Sequence, residues 1–262
     1  MRNLGNTNRI VIKVGTSVLT NPDGTLNESG LRKIVEVCAK LRYEGKAVVL
    51  VTCGAICMGV TKLRLPTYPT EMQEKQACSA AGQPLLMATY DKHFGALGIA
   101  VAQLLLTKYT TQRDDTLANV TNTLNTLFAH GVVPIINEND PLITDEIKLG
   151  DNDTLAAHVA NMIKADLLVL LTDVDGLYDK DPKLPGAKII PEVTAITDEI
   201  KAGTSDSTNP RSTGGMATKL SAAVIASKSR TKTVIMNGNN PFLVLEVLKG
   251  VRYGTYFDLL WR

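Results

Sequence analysis

The chain is poor in the residues that build metal cages, disulfide frames and membrane spans. Its four cysteines, Cys38, Cys53, Cys57 and Cys78, form no paired CxxC spacing, and its three histidines lie away from them. This argues against a zinc site or a cystine scaffold and favours reduced thiols in a cytoplasmic protein. No apolar run approaches the roughly 20 residues that span a bilayer. The first nine residues, MRNLGNTNR, lack the apolar core of a secretory signal. A dominant charge is missing too: 28 Lys and Arg against 26 Asp and Glu leave +2. No basic stripe interleaved with aromatics offers a face to nucleic acid. Neither GxGxxG nor GxxxxGK[ST] occurs, so a nicotinamide dehydrogenase and a Walker-type loop have no support.

What is present is alternation. At 262 residues with 44% apolar and 21% charged content, the chain can bury a large core. Apolar runs at Arg9–Val14 (RIVIKV), Ala47–Val51 (AVVLV), 99–106, 132–136, 167–171 (LLVLL), 233–236 and 254–257 read as strands. Between them, helical periodicity runs over 31–41 with Gly45 as its stop, 115–130 ended by Gly131, 154–165, 216–228 and 242–249. Two further helices, 71–81 and 84–94, are separated at Gly82. Nearly continuous apolar strands alternating with helices predict a mainly parallel sheet covered on both faces.

The stretch richest in chemistry is NENDPLITDEIKLGDND, 137–153. Asn137, Glu138, Asn139, Asp140, Asp145, Glu146, Asp151, Asn152 and Asp153 crowd the carboxyl end of a strand, where an open α/β sheet holds its ligand. The two brackets, Asn-Glu-Asn-Asp and Gly-Asp-Asn-Asp, suit a small zwitterion. Lys13 interrupts the first strand just before Gly15-Thr16-Ser17. A buried lysine needs a partner. Snorkelling at a sheet edge is the alternative, but the lysine's place at a strand's carboxyl end, just before small residues that allow close backbone approach, favours a phosphate ligand. Thr213-Gly214-Gly215-Met216-Ala217-Thr218-Lys219 opens a helix with two glycines, exposing amide donors at its positive end, and Lys219 follows one turn in. Cys53-Gly54-Ala55 is another strand-to-helix turn, and its amides can meet an oxyanion. No histidine is placed to act as base for Cys53, and His93, His130 and His158 read as structural.

IVIKVGTS, LVTCGAI, NEND, EIKLGDND, LLTDVDGLYDKDP and TGGMATK, in that order, resemble the amino-acid kinase superfamily over about 9–257. KVGTS, NEND, GDND and TGGMATK together resemble the branch that phosphorylates glutamate. The resemblance implies a three-layer α/β/α sandwich, a single domain over 1–262. Its first part (about 9–165) takes glutamate and its second (about 166–257) takes ATP with Mg2+ carried on the phosphates. It implies an ATP-dependent transfer to the side-chain carboxylate of L-glutamate, opening proline biosynthesis in the cytoplasm. Lys13, Lys219 and Asp153 would be catalytic, with Asp153 holding the two lysines. Cys53, Gly54, Ala55, Asn137, Asp140 and Asn152 would hold glutamate. Lys13, Gly15, Thr16, Thr172, Asp173, Tyr178 and 213–219 would line the nucleotide.

Two departures stand out. Cys53 replaces the serine usual in that turn, and with the sequence ending at Arg262 the carboxy-terminal PUA domain of many relatives is expected to be absent. Proline as a competitive inhibitor and a homodimer or homotetramer, with the helices over 72–94 as interface, follow as expectations of the resemblance. Other carboxylate kinases of this fold, acting on aspartate or N-acetylglutamate, and a non-catalytic glutamate or proline sensor remain alternatives at this point.

Overall fold

The computed structural model describes residues 4–107, 110, 113–142, 152–202 and 215–259. The chain runs through β1 (Arg9–Val14), a single turn α1 (Thr16–Leu19), α2 (Glu28–Tyr43), β2 (Ala47–Val51), α3 (Ala55–Leu63) and α4 (Met72–Gly95). It continues with β3 (Val101–Leu106), α5 (Asp114–Ala129), β4 (Val133–Glu138), a 3-10 turn at Asp140–Leu142, α6 (Asn152–Met162) and β5 (Leu167–Thr172). The last elements are β6 (Glu192–Val193), α7 (Asp198–Ala202), α8 (Met216–Ser227), β7 (Lys232–Asn237), α9 (Leu243–Leu248) and β8 (Thr255–Phe257).

Local chemistry sets these boundaries. In α2 the Asn27 side chain caps the first turn by accepting from Gly30 N at 2.9 Å, with Glu28 near the positive end and Lys40 and Arg42 near the negative end. Its Leu31, Ile34, Val35, Cys38 and Leu41 recur at helical spacing and are all buried.

The described strands form one eight-stranded sheet in the order β3-β4-β2-β1-β5-β7-β8-β6. Every pairing from β3 to β7 is parallel; β8 runs antiparallel to β7 and parallel to β6. Side chains alternate between two cores, as a pleated strand requires. Ile10, Ile12 and Val14 face α2, α4 and α9, with Leu86, Tyr90, Phe94 and Val244. Val11, Val49, Leu168 and Leu170 face α6 and α8, with Ala156, Val159, Leu220 and Ala223. The architecture is thus the three-layer sandwich that the motifs imply.

The sheet-edge alternative for Lys13 falls away, and two differences from the sequence reading have physical causes. Lys13 is not at a sheet edge: β1 pairs with β2 on one side and β5 on the other, and Lys13 is 6% exposed. Gly82 does not break the helix, which runs unbroken from 72 to 95 with Pro84 inside it. Its first half is pressed against α3. A Cβ on Gly82 would collide with the Ala55 carbonyl, and one on Gly59 with the Cys78 carbonyl. Leu86, Tyr90 and Phe94 pin the second half in the core. Packing on both sides thus outweighs the hydrogen bond that proline removes. The strand β6 escapes sequence reading because it contributes only two residues.

Candidate active site

Chain direction in the sheet places the site. β1 lies at its middle, with β2 to one side and β5 to the other. That is a topological switch point, where a crevice opens at the strands' carboxyl ends. Here Gly15 N donates to Leu171 O at 2.9 Å, and Gly15 sits so close to β5 that a Cβ would lie 3.1 Å from that carbonyl.

Side-chain alternation sends Lys13 to the same face as Val11, toward α6 and α8. There it meets Asp153 of α6, with Nζ 2.6 Å from Oδ1. Lys219, one turn into α8, reaches the other oxygen from the opposite side, with Nζ 3.1 Å from Oδ2. Thr218 Oγ1 also donates to Asp153 Oδ2 at 3.1 Å. Asp153 is fully buried and both lysines are 6% exposed. Burial pushes the Asp153 carboxyl up, but the ammoniums of Lys13 and Lys219 outweigh it and hold the group well below the usual carboxylate range. Two positive charges and one negative sum to one positive charge at the carboxyl ends of β1 and β5. Gly215 and Met216 begin α8 beside it, so the positive end of that helix adds to the field. These groups fit a phosphoryl group.

A second cluster lies on the β2–β4 side. Gly54 has φ +105, a left-handed conformation that favours glycine, and so starts α3 right after β2. Cys53 is half-buried just before it. The Asn152 side-chain nitrogen donates to Thr52 O at 2.9 Å, Cys53 Sγ at 3.0 Å and Asn137 Oδ1 at 3.1 Å. Asn137 in turn donates to Gln83 Oε1 at 2.9 Å, and Gln83 to Gln103 Oε1 at 2.8 Å. This chain of amides fixes which end of Asn152 points where. Its Oδ1 is buried and accepts nothing among the described residues. Asp140 is 8% exposed and takes a hydrogen bond on Oδ2 from Ser79 Oγ at 2.5 Å, while Oδ1 makes none among the described residues. Burial pushes the Asp140 carboxyl up, and the Ser79 bond opposes it only in part.

The residues assigned to the nucleotide are more scattered. Thr172, at the end of β5, donates to Asp173 Oδ1 at 3.1 Å, and Asp173 is exposed. Tyr178 bonds Asp175 Oδ2 at 3.4 Å, and Asn237 holds Asp175 Oδ1 at 2.8 Å, so this loop is tied to the end of β7. Thr16 is half-buried in α1. Thr213, Gly214, Asp145, Glu146 and Asp151 lie outside the described residues. All four cysteines are free thiols, and Cys57 donates to Gly24 O at 2.8 Å. Sequence reading missed Ser79, Gln83 and Gln103. They sit on α4 and β3 outside any motif, and only the fold brings them behind Asp140 and Asn137.

Residues 8–237 match the amino acid kinase family, and the chain belongs to that family. Among named relatives, the glutamate 5-kinase of Clostridium acetobutylicum is 46% identical over 255 residues, 97% of this chain and 96% of that protein. The glutamate 5-kinase of Thermoanaerobacter sp. is 47% identical over 250 residues, 95% of this chain and 67% of that longer protein. Among solved structures, the carbamate kinase of Giardia lamblia bound to AMP-PNP superposes with a TM-score of 0.70 at 16% identity. It covers 98% of this chain and 100% of its own, a likeness of fold.

Proposed function

We propose that the chain is a glutamate 5-kinase, moving the γ-phosphoryl group of ATP onto the side-chain carboxylate of L-glutamate to give L-glutamyl 5-phosphate. This is the first step of proline biosynthesis. The observation that carries the reading is the sharing of the buried Asp153 carboxylate by Lys13 and Lys219 at the switch point. Relatives named glutamate 5-kinase, at 43% to 47% identity, support glutamate as the acceptor.

The acceptor carboxylate is already ionised near neutral pH, so the reaction calls for no general base. Catalysis then lies in alignment and in neutralising charge on the transferring group. Lys13 and Lys219 supply that charge, and Asp153 keeps the two ammoniums converging where they would otherwise repel. Amides at the start of α8, from Gly215 to Ala217, donate to phosphate oxygens, and Thr213 and Gly214 of the same motif join them by the family resemblance. Gly15, Thr16, Thr172, Asp173 and Tyr178 complete the nucleotide's surroundings. Magnesium, carried on the ATP phosphates, adds positive charge there when bound. On the acceptor side, Asp140 Oδ1 and Asn152 Oδ1 receive the substrate ammonium, with Asn137 fixing Asn152. The amides of the Cys53-Gly54-Ala55 turn take a carboxylate. Residues 9–165 thus serve the acceptor and 166–257 the nucleotide, apart from Lys13, Gly15 and Thr16, which serve ATP from the first part. Proline, which bears the same ammonium and carboxylate, competes at the acceptor site. A homodimer or homotetramer in the cytoplasm completes the proposal.

The test is ADP formation from MgATP with L-glutamate, aspartate or N-acetylglutamate, trapping acyl phosphate with hydroxylamine. Glutamate-dependent ADP with matching hydroxamate is the expected result. Turnover only with another acceptor moves the chain to a sister activity, and no acceptor-dependent turnover removes the kinase reading. Glutamate titrations at fixed proline levels should raise the apparent KM alone.

A further inference from the structure

Asp140, the acidic side chain of the proposed acceptor cluster, has no cationic neighbour in hydrogen-bond contact among the described residues; its Oδ2 accepts from Ser79. The two side chains come from distant parts of the chain, Ser79 from the middle of α4 and Asp140 from the turn after β4. They meet in a buried contact, 2% and 8% exposed, at 2.5 Å. That length is in the range of a hydroxyl donating to a carboxylate. Since a serine hydroxyl rotates freely about its C–O bond, it can give its one proton to Oδ2 without further constraint. On its other side Ser79 lines a cavity of about 370 Å3 between α4, β3 and β4, with Gln83, Met87, Gln103 and Glu138 among its walls.

We propose that Ser79 is a positioning residue for acceptor recognition: its hydroxyl pins Oδ2 of Asp140 so that Oδ1 is presented, with Asn152 Oδ1, to the substrate ammonium. The inference rests on the acceptor reading above and deepens it. The reason a second group is needed is energetic. A carboxylate this buried gains more from taking up a proton than an exposed one. A protonated Asp140 would meet the ammonium with a weaker, neutral acceptor. The Ser79 bond, donated to that carboxylate, favours its charged form.

Other titratable groups gather nearby. Tyr68, from the loop between α3 and α4, lies within electrostatic reach of Asp140, Cys53, Cys57 and Cys78. Burial pushes Tyr68 up to about 12, and burial with Glu74 pushes Cys78 up, so both stay neutral in mildly acidic solution. Glu138 lies two residues before Asp140 and shares the cavity wall with Ser79. Lys13 and Lys219 face Asp153 instead.

The experiment is the pH profile of kcat/KM for glutamate, with ADP formation as readout, in the unaltered chain, Ser79→Ala, Ser79→Cys and the two Ser79 changes combined with Asp140→Asn. Removing the hydroxyl lets burial push Asp140 higher still, so the acid limb moves to higher pH. In Ser79→Ala, kcat/KM should fall roughly tenfold or more at pH 5.5 and about threefold at pH 7.5, through KM and not kcat. Ser79→Cys keeps the volume with a weaker donor and should fall between. With Asp140→Asn in place, neither Ser79 change should alter the profile. An acid limb that stays where it is in both folded single variants, or the same shift with Asp140→Asn present, overturns the role of Ser79. Absence of glutamate-dependent ADP in the unaltered chain overturns the acceptor reading and this inference with it. Turnover with an unmoved limb overturns Ser79 alone.

Discussion

Asp153 and Asp140 are both almost fully buried, yet their surroundings drive them in opposite directions. Asp153 has an ammonium on each oxygen, and attraction overcomes burial; its carboxyl is held well below the usual range. Asp140 has one hydroxyl, and burial prevails over it. The contrast separates two kinds of acid in one site. One is satisfied by the protein and organises it. The other meets no positive partner among the described residues, and in the proposed reaction one arrives as substrate.

Breaking the first region should have the largest effect. Lys219→Ala removes one arm of the proposed phosphoryl clamp, and turnover should fall on the order of a thousandfold with the fold retained, measured by steady-state kinetics beside circular dichroism. Near-normal activity would refute the assignment. Asp153→Asn leaves two buried ammoniums without their shared counter-charge and should destabilise by about 3–5 kcal/mol in denaturant melts. The same change at Asp140 should act with opposite sign on stability. Asp140→Asn relieves a buried charge, so the melting midpoint should rise. The kcat/KM for glutamate should meanwhile fall roughly a hundredfold, while KM for ATP stays put.

Acid sharpens the comparison further. The folded value of Asp153 is depressed, so its contribution is full above the unfolded value of about 3.9 and is lost as pH falls through the folded one. The folded value of Asp140 is raised, so its contribution is present below about 3.9 and is lost as pH rises through the folded one. Thermal melts of the unaltered chain and Asp140→Asn should therefore converge as pH is lowered from neutrality. A gap that widens instead would reverse the sign assigned to Asp140. The smallest effect belongs to Cys53→Ser. Asn152 meets the sulfur at 3.0 Å, and oxygen can accept the same bond, so KM for glutamate should change by less than about threefold, and downward. A large rise would mean that the thiol itself contacts substrate.

Much of this was legible in the sequence because it depends on neighbours along the chain. β1 and β2 are read to the residue, since each is an apolar run closed by small or turn-forming residues. Lys13 is visible as an anomaly and Lys219 as a cation one turn into a glycine-led helix. Their meeting on Asp153 is implied by family resemblance and not by any spacing, because it depends on β1 lying beside β5 and on α6 and α8 covering one face. Ser79 and Gln83 were illegible for the opposite reason. They are ordinary helix residues whose meaning comes from residues more than fifty positions away. Gly82 is ambiguous in the sequence, since a glycine that ends a helix and one that lets two helices touch look the same in a string of letters.

That touching has a consequence for change over time. With Gly59 and Gly82 each seated against the other helix's backbone, α3 and α4 form a welded joint. The turn before α3 and Ser79 on α4 therefore travel together, and neither can slide along the other to lengthen or shorten the proposed acceptor slot. New acceptors would have to be fitted by exchanging side chains around a slot of fixed width, so a shift in substrate should be recorded at positions such as Cys53, Ser79 and Gln83 while the joint stays the same.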